Sequence, residues 1–129
     1  MAIYTLEITP IPAPRLNRKS RFNPAKKAMW ERYMNFKGLL FILAQKSGFD
    51  FSQESLAVTF ILPMPKSWSQ KKRQRLNGQP HKQRPDLDNM LKAVKDSLYK
   101  EDKRIWHVCA EKRWGVKGQI ILRQEVTAV

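Results

Sequence analysis

Residues 84–98 read RPDLDNMLKAVKDSL, and the rest of the chain is best interpreted outward from this stretch. Four apolar residues in it recur at helical spacing, which predicts a helix from about Asp86 to Tyr99: Leu87, Leu91, Val94 and Leu98. Pro85 disfavours helical backbone at Arg84, so the helix begins directly after the proline. Asp86 and Asp88 therefore lie at its N-terminal end, where a carboxylate can cap the helix or be stabilised by its dipole. Capping alone would explain an isolated Asp-X-Asp pair.

Acidic residues are concentrated around this helix in a chain that is otherwise strongly basic. The sequence has 25 Lys and Arg against 11 Asp and Glu, which gives a net charge of +14. Five of the acids fall between residues 86 and 102: Asp86, Asp88, Asp96, Glu101 and Asp102. Ion pairing with the excess Lys and Arg is one explanation, and a bound divalent cation is the other, because magnesium takes carboxylate oxygens and also contacts substrate phosphates. A basic surface for a polyanion combined with acids for a metal is what a nuclease requires.

The spacing of the remaining polar residues predicts what lies near the two aspartates. Lys92 comes four residues after Asp88, so we expect it beside that carboxylate on the same face of the helix. Glu101 and Asp102 follow the end of the helix. At about 1.5 Å per residue, a helix over 88–100 separates its ends by roughly 18 Å. Asp102 can therefore meet Asp88 only if the chain doubles back or if a partner subunit supplies it.

Length and composition predict one small globular domain. The chain has 129 residues, of which 42% are hydrophobic, and this is enough for a single core. The net charge favours phosphate backbones or anionic membranes as partners. Nucleic acid is favoured over a membrane, because the aromatic residues are spread along the chain and not gathered on one basic amphipathic helix.

Several function classes are excluded by what the sequence lacks. The single cysteine, Cys109, excludes an intramolecular disulfide framework and a cysteine-based zinc cluster. The first residues lack the basic and long apolar regions of a secretory signal. The most apolar run, residues 38–44, is too short to cross a bilayer. We therefore expect a cytoplasmic protein without membrane contact.

The hydrophobic pattern predicts an α/β (α+β) fold in which a mixed β-sheet carries two main helices. Asn23 and Pro24 predict the start of the first helix and Gly48 its end. Its buried stripe is expected to be Trp30, Met34, Leu40, Phe41 and Ala44. Residues 115–118 are expected to form a hairpin turn between the last two strands. The predicted order β-α-β-loop-α-β-β consists of a strand at 3–9, a helix at 24–46, a strand at 56–62, a loop at 66–84, a helix at 86–99 and strands at 105–114 and 119–126.

Two basic segments are candidates for contact with a phosphate backbone. Residues 15–27 contain six basic residues and no acid, and residues 66–84 contain seven and no acid. The second segment is predicted to be a long mobile loop with a short helix at about 71–75. A solvated linker is the alternative, but its position beside the acidic stretch favours a DNA-contacting arm. The candidate DNA-binding residues are Arg15, Arg18, Lys19, Arg21, Lys66, Trp68, Lys71, Lys72, Arg73, Arg75, His81, Lys82 and Arg84.

Two of these candidates have equally simple structural alternatives. Trp68 can stack on an unpaired base, although a tryptophan in a loop is as often packed against the body of the protein. His81 can act as an acid or contact a phosphate, although a lone histidine in a loop more often does neither.

The motifs resemble the RusA family of Holliday-junction resolvases, which includes many copies encoded by bacteriophages and prophages. The resemblance rests first on the PDLDN motif at 85–89, on Lys92 and Asp96, and on EDKRIW at 101–106. Upstream, MPKSWS at 64–69, NGQPH at 77–81 and PAPR at 12–15 are similar to the phage-type branch. These segments follow one another in the family's order and cover most of the chain.

The resemblance implies a homodimeric, magnesium-dependent endodeoxyribonuclease that resolves four-way DNA junctions by paired symmetric nicks, in recombination and repair. The catalytic residues carried over are Asp86, Asp88, Lys92 and Asp102, and the three aspartates would hold Mg²⁺, with Mn²⁺ as a possible substitute. Because Glu101 and Asp102 are adjacent, either is a candidate for the third acid, and we place Asp102 first. The basic segment at 66–84 is longer than the corresponding segment of the shortest family members, which leaves junction specificity more open than the cleavage chemistry.

Two other functions remain open from the sequence. One is a nucleic-acid-binding protein without catalysis, in which the acids only cap helices and form salt bridges. The other is a nuclease for other branched or flapped DNA, for example in phage genome processing. A pure binding protein gains nothing from acids beside its DNA surface, since each repels phosphate unless a cation intervenes. Junction cleavage is therefore the favoured hypothesis.

Overall fold

The computed structural model describes residues 1–15 and 23–125, except for the side chain of Asp102. Four strands and three α-helices follow one another in the predicted order, so the α+β class is confirmed. The candidate residues Arg18, Lys19 and Arg21 lie outside the described part. The elements are β1 (Ala2–Leu6), α1 (Pro24–Ser47), β2 (Ser55–Pro63), α2 (Gln70–Leu76), α3 (Leu87–Leu98), a short 3-10 helix (Asp102–Arg104), β3 (His107–Gly115) and β4 (Gln119–Gln124).

The sheet has the order β1-β4-β2-β3 and is mixed. β2 pairs with β3 in parallel, through the crossover that contains α3, and β4 runs antiparallel to both of its neighbours. Every second residue of β2 is buried, including Leu56, Val58 and Phe60. These side chains form one core with buried residues of α1 and α3. The two long helices therefore cover one face of the sheet.

The expected hairpin at residues 115–118 is wrong. β3 and β4 are consecutive in the chain, but β2 lies between them, so residues 115–118 pass over the end of β2 instead of closing a two-stranded turn. Glycines make this passage possible, because a Cβ added at Gly118 would lie 2.7 Å from Thr9 Cα, and one added at Gly115 would overlap Ile61. A short connection with two glycines is typical of a hairpin, and the sequence pattern does not distinguish a hairpin from a connection that passes a third strand.

Both ends of α1 are where the sequence predicts them. The Asn23 side chain accepts a hydrogen bond from Ala25 N (3.0 Å), and Gly48 ends the helix in the left-handed region at φ 87°. The expected buried stripe is only partly correct. Leu40 and Ala44 are buried together with Tyr33 and Phe36, whereas the expected Trp30, Met34 and Phe41 are exposed by 42%, 46% and 39%. Apolar residues surround much of this helix, so its periodicity did not identify the inner face.

Residues 66–84 are more ordered than the expected mobile loop. They contain α2, whose N-cap Ser69 accepts a hydrogen bond from Lys72 N (3.2 Å). The following residues are hydrogen-bonded to the edge of β3 through Gly78 N to Trp114 O (2.9 Å) and His81 N to Lys112 O (3.0 Å). We call residues 66–84 the basic arm. Among the residues that the structure describes, no helix is long and apolar enough to cross a membrane.

Candidate active site

An open cleft of about 690 Å³ lies at the N-terminal end of α3. One wall is the segment 10–15, which crosses this helix end, and the other is the turn that leads into α3. Ala13 N donates a hydrogen bond to Asn89 O (3.1 Å), which fixes the crossing. The cleft is lined by Pro10, Pro12, Arg15, Arg84, Pro85, Asp86 and Asn89. It thus combines two arginines with an aspartate.

Asp86 and Asp88 are both exposed at this helix end. Asp86 is the N-cap residue, but its side chain forms no capping hydrogen bond. No other described residue forms a hydrogen bond or ion pair with the Asp86 carboxylate, so its oxygens are available to a ligand. Asp88 Oδ1 accepts a hydrogen bond from Asn89 N (3.0 Å). The helix dipole favours negative charge at both positions. Asp86 thus occupies the N-cap position that the simplest alternative predicts, but its carboxylate is not used for capping.

Asn89 connects the aspartates to the opposite wall of the cleft. Its Oδ1 accepts hydrogen bonds from Arg15 Nη2 (3.2 Å) and more weakly from Arg15 Nε (3.4 Å). Asn89 belongs to the quoted motif but was not assigned a role from the sequence. The contact places a guanidinium within the same cleft as Asp86, where it can bind a phosphate oxygen.

Lys92 lies four residues after Asp88 on α3, but its ammonium pairs with Asp96 and not with Asp88. Its Nζ lies 3.3 Å from Asp96 Oδ2, one turn further along α3. The same oxygen accepts a hydrogen bond from Tyr33 OH (3.1 Å), so α1 fixes the position of the Asp96 carboxylate. Burial and the neighbouring Asp96 charge raise the pKa of Tyr33 above its ordinary value, so its hydroxyl remains a donor. By helical spacing, Asp88 and Asp96 are equivalent partners of Lys92, since one lies four residues before it and the other four after it. The hydrogen bond from Tyr33 fixes the Asp96 carboxylate and so favours Asp96.

The third acidic position lies beyond the far end of α3. The main chain of Asp102 begins the 3-10 helix, and Glu101 Oε2 lies 3.2 Å from Lys103 Nζ in an exposed ion pair. α3 has 12 residues and is therefore about 18 Å long. Within the described residues, no group of three metal-ligating side chains comes together.

The basic arm carries cations of two kinds. Lys66, Lys71, Arg75, Lys82 and Arg84 are exposed, and among the described residues none of these five forms an ion pair. Two others stabilise the arm itself: Arg73 Nη1 donates to Pro65 O (2.9 Å), and Lys72 Nζ lies 4.4 Å from the centre of the Trp68 ring.

The two aromatic candidates of the arm are packed inward. Both rings pack against Trp114 of β3. The centre of the Trp114 ring lies 4.7 Å from the centre of the Trp68 ring and 4.1 Å from the centre of the His81 ring. His81 is only 5% exposed, and burial together with the nearby Lys112 charge lowers its pKa. Trp68 therefore packs against the body of the protein, as its structural alternative predicts. His81 is buried away from the surface that a phosphate reaches.

Lys112 is a further residue of this region that sequence reasoning missed. It lies on β3, on the sheet face that carries buried Phe60, and its Nζ donates hydrogen bonds to Gln83 O and to Pro85 O (2.7 Å). Side chains of a strand alternate between its two faces, and Lys112 falls among the positions that face the core. A charged residue at such a position is the signal by which the sequence could have identified it. The turn that presents Asp86 is thus fastened to the sheet.

A basic α+β domain with exposed carboxylates and arginines around one open cleft belongs, by its chemistry, among proteins that bind and cleave nucleic-acid phosphates. The family of endodeoxyribonuclease RusA matches residues 6–124, almost the whole chain, so this chain belongs to the RusA family. The resemblance drawn from the motifs is confirmed. The family is one of Holliday-junction endodeoxyribonucleases, and the chain is accordingly a nuclease. No curated protein and no solved structure matches it significantly.

Proposed function

We propose that this protein is a magnesium-dependent homodimeric resolvase that cuts four-way DNA junctions by paired symmetric nicks. The observation that carries the proposal is the pair of exposed carboxylates, Asp86 and Asp88, beside a cleft lined by Arg15 and Arg84. Within residues 1–15 and 23–125, the Asp86 oxygens have no partner, and one Asp88 oxygen is engaged, toward Asn89. In a chain of charge +14, carboxylates that no Lys or Arg of the described part pairs with fit a role as cation ligands better than a role as structural ion pairs.

Asp86 and Asp88, with Asp102 as the third acid, would hold the Mg²⁺, and hard carboxylate oxygens suit this ion. Bound Mg²⁺ supplies a polarised phosphate and a water of lowered pKa. Arg15 and Arg84 would bind the phosphate oxygens from the walls of the cleft. Asp86 precedes α3 and Asp102 follows it, and a helix of 12 residues is about 18 Å long. A second subunit that contributes its Asp102 would therefore complete the site, and Mn²⁺ could substitute for Mg²⁺ there.

Lys92 would stabilise the charge that develops on the phosphate, or orient the attacking water. The lysine end of its ion pair with Asp96 is exposed, with 64% of the Lys92 side chain accessible against 30% of the Asp96 side chain. Water screens an exposed ammonium and lowers the free energy of such a pair, and Asp96 keeps its hydrogen bond from Tyr33, so the ammonium can turn from Asp96 to a phosphate. Among the arm residues, the exposed Lys66, Lys71, Arg75, Lys82 and Arg84 would bind the DNA backbone, which positions the junction without reading its sequence.

The proposal is tested by incubating a labelled synthetic four-way junction with Mg²⁺ and the wild type, Asp88→Asn or Glu31→Gln. Asp88→Asn keeps an oxygen that can accept from Asn89 N, so the helix start is preserved while one carboxylate is lost. We expect paired nicks from the wild type and from Glu31→Gln, an exposed acid of α1. Asp88→Asn should bind the junction normally and cut at least about 100-fold more slowly.

Three results would contradict the proposal or a part of it. Tight binding without cleavage by the wild type, in both Mg²⁺ and Mn²⁺, would contradict metal-dependent resolution. Faster cleavage of flaps or forks than of four-way junctions would instead indicate a nuclease for other branched DNA. A sedimentation measurement that found only monomers on the junction would contradict the dimer.

A further inference from the structure

Lys112 occupies a position where a charged side chain requires a specific reason. It pairs in register with Phe60, which is fully buried, and its own side chain lies on the same half-covered face of the sheet. The Lys112 side chain is partly buried at this position, so its ammonium loses part of its hydration and gains from hydrogen-bond acceptors within the protein. Among the described residues, no carboxylate lies within ion-pair distance of Lys112. Two backbone carbonyls fill that role instead.

The two carbonyls belong to the turn that enters the cleft. Lys112 Nζ donates to Gln83 O and to Pro85 O (2.7 Å), and these two residues flank Arg84. The backbone of Lys112 holds the same turn a second time, because Lys112 O accepts from His81 N (3.0 Å). One residue of β3 therefore fastens the chain from His81 to Pro85 at three points.

The next residue after this fastened turn is Asp86. On its other side, Asp86 O accepts a hydrogen bond from Met90 N (3.2 Å). This bond closes the first turn of α3. Asp86 is thus held between the helix and the Lys112 contacts, while its carboxylate is left free of described partners. A carboxylate whose backbone is fixed on both sides and whose oxygens are unused is preorganised for a ligand.

We propose that Lys112 is a positioning residue of the metal and phosphate site, acting through the main chain of residues 83–85 on Asp86 and Arg84. This inference rests on the proposed function, since it concerns how the carboxylate and the guanidinium are aimed. The Lys112 ammonium is engaged by the two carbonyls, so it would act on the site without contacting the metal or the phosphate itself. Loss of its ammonium would release both carbonyls and let the turn move, and displacements of about 1 Å at such sites reduce rates by roughly 100-fold.

The test compares Lys112→Met and Lys112→Arg with the wild type and with Lys117→Met. Lys117 is the matched control, because it is an exposed lysine whose ion pair with Glu7 (3.0 Å) lies in the connection before β4. The measurements are Mn²⁺ affinity of the free protein by electron paramagnetic resonance, junction affinity without metal, and the single-turnover cleavage rate in Mg²⁺. Mn²⁺ binding reports on the carboxylates independently of cleavage.

For Lys112→Met we expect metal affinity to fall by about 10- to 100-fold, as for other residues that support metal ligands, and the cleavage rate to fall by a similar factor. Junction affinity without metal should change by less than about threefold, because the phosphate-binding cations of the arm remain. Lys112→Arg keeps donors for the two carbonyls and should recover part of both losses. Lys117→Met should match the wild type.

A folded Lys112→Met protein with wild-type Mn²⁺ affinity and cleavage rate would overturn the positioning role while leaving the proposed function intact. A lower melting temperature with unchanged metal affinity would also overturn it, since that is the result of a purely structural contact. If Lys112→Met does not fold, Lys112→Gln, which keeps an N–H donor without the charge, is measured in its place against the same criteria. A wild type that neither binds Mn²⁺ nor cuts would instead refute the proposed function and this inference with it.

Discussion

Tyr33 and Tyr99 show how one hydroxyl group can be stabilising and another costly in the same core. Tyr33 is 3% exposed and donates its hydroxyl to Asp96 Oδ2 (3.1 Å). The Tyr99 hydroxyl is buried, and no hydrogen-bond partner is found for it among the described residues. Burial, with the nearby Asp50 charge, raises the pKa of Tyr99 to about 12. The two residues are therefore a natural matched pair.

Tyr33→Phe should lower the free energy of unfolding by about 1–2 kcal/mol, because it removes a hydrogen bond to a charged acceptor. Tyr99→Phe should leave it unchanged or raise it by up to ~1 kcal/mol, since it removes a buried hydroxyl that has no partner. Urea denaturation at pH 7 measures both. Equal destabilisation by the two substitutions would contradict the assignment of the Tyr33–Asp96 bond.

The Tyr33 contact also explains where residue-level sequence reasoning failed. Lys92 has a carboxylate four residues before it and another four residues after it, and helical spacing does not choose between them. The choice is made by a hydroxyl that arrives from α1, far away in the chain. Asp86 and Asp88 can be identified from the sequence because they belong to a local motif. Lys112 is linked to the cleft through hydrogen bonds to the backbone of Gln83 and Pro85, and such a contact leaves little trace in the sequence.

At the scale of elements, the basic arm is attached to the sheet through His81 and Trp114. His81 Nδ1 accepts a long hydrogen bond from Gln83 N (3.4 Å), and its ring packs against Trp114. The pKa of His81 is lowered from its ordinary value by burial and by the Lys112 charge. The unfolded chain therefore takes up a proton at a higher pH than the folded protein does.

Because of this difference, the unfolding free energy should decrease as the pH falls from about 7 to 5, with up to one additional proton bound by the unfolded state. The contribution of neutral His81 is complete above its unfolded pKa and is lost as the pH falls toward the folded one. His81→Phe, which keeps a flat ring against Trp114, should make the slope shallower. His107→Gln, at an exposed histidine, is the control, and a slope unaffected by His81→Phe would contradict the prediction.

The elements themselves were predictable wherever the signals are local. Asn23, Pro24 and Gly48 mark the ends of α1, and alternation marks β2, because capping and strand burial depend on neighbouring residues. The order of the strands is not local. Strands that follow one another usually pair, but β2 takes the position between β3 and β4, and only the packed sheet shows this. For the same reason, contacts with Trp114 turned an expected mobile loop into an ordered arm.

For the whole molecule, the net charge of +14 predicts DNA affinity that depends steeply on salt, through release of counterions. Lys71 and Arg75 are exposed on the basic arm, and replacing both by alanine should reduce the slope of log affinity against log salt by about 2, roughly 0.9 for each phosphate contact. The paired control is Lys46→Ala with Lys117→Ala. Titrations of a labelled junction between about 50 and 200 mM salt measure the slope. Equal loss of slope in both double variants would indicate diffuse attraction without a defined arm contact.

The position of β4 in the sheet has a consequence for how the protein is made. β1 is synthesised first and β4 last of the four strands, yet among the described strands β1 has β4 as its one partner, from Ala2 with Gln124 to Leu6 with Ile120. While the ribosome is still making the chain, β1 has no neighbour and one edge of β2 stays unpaired. The cleft residues leave the ribosome before the strand that completes the sheet beneath them. A nascent chain can therefore already carry the acidic residues between 86 and 102 and still lack the complete sheet until residue 124 has emerged.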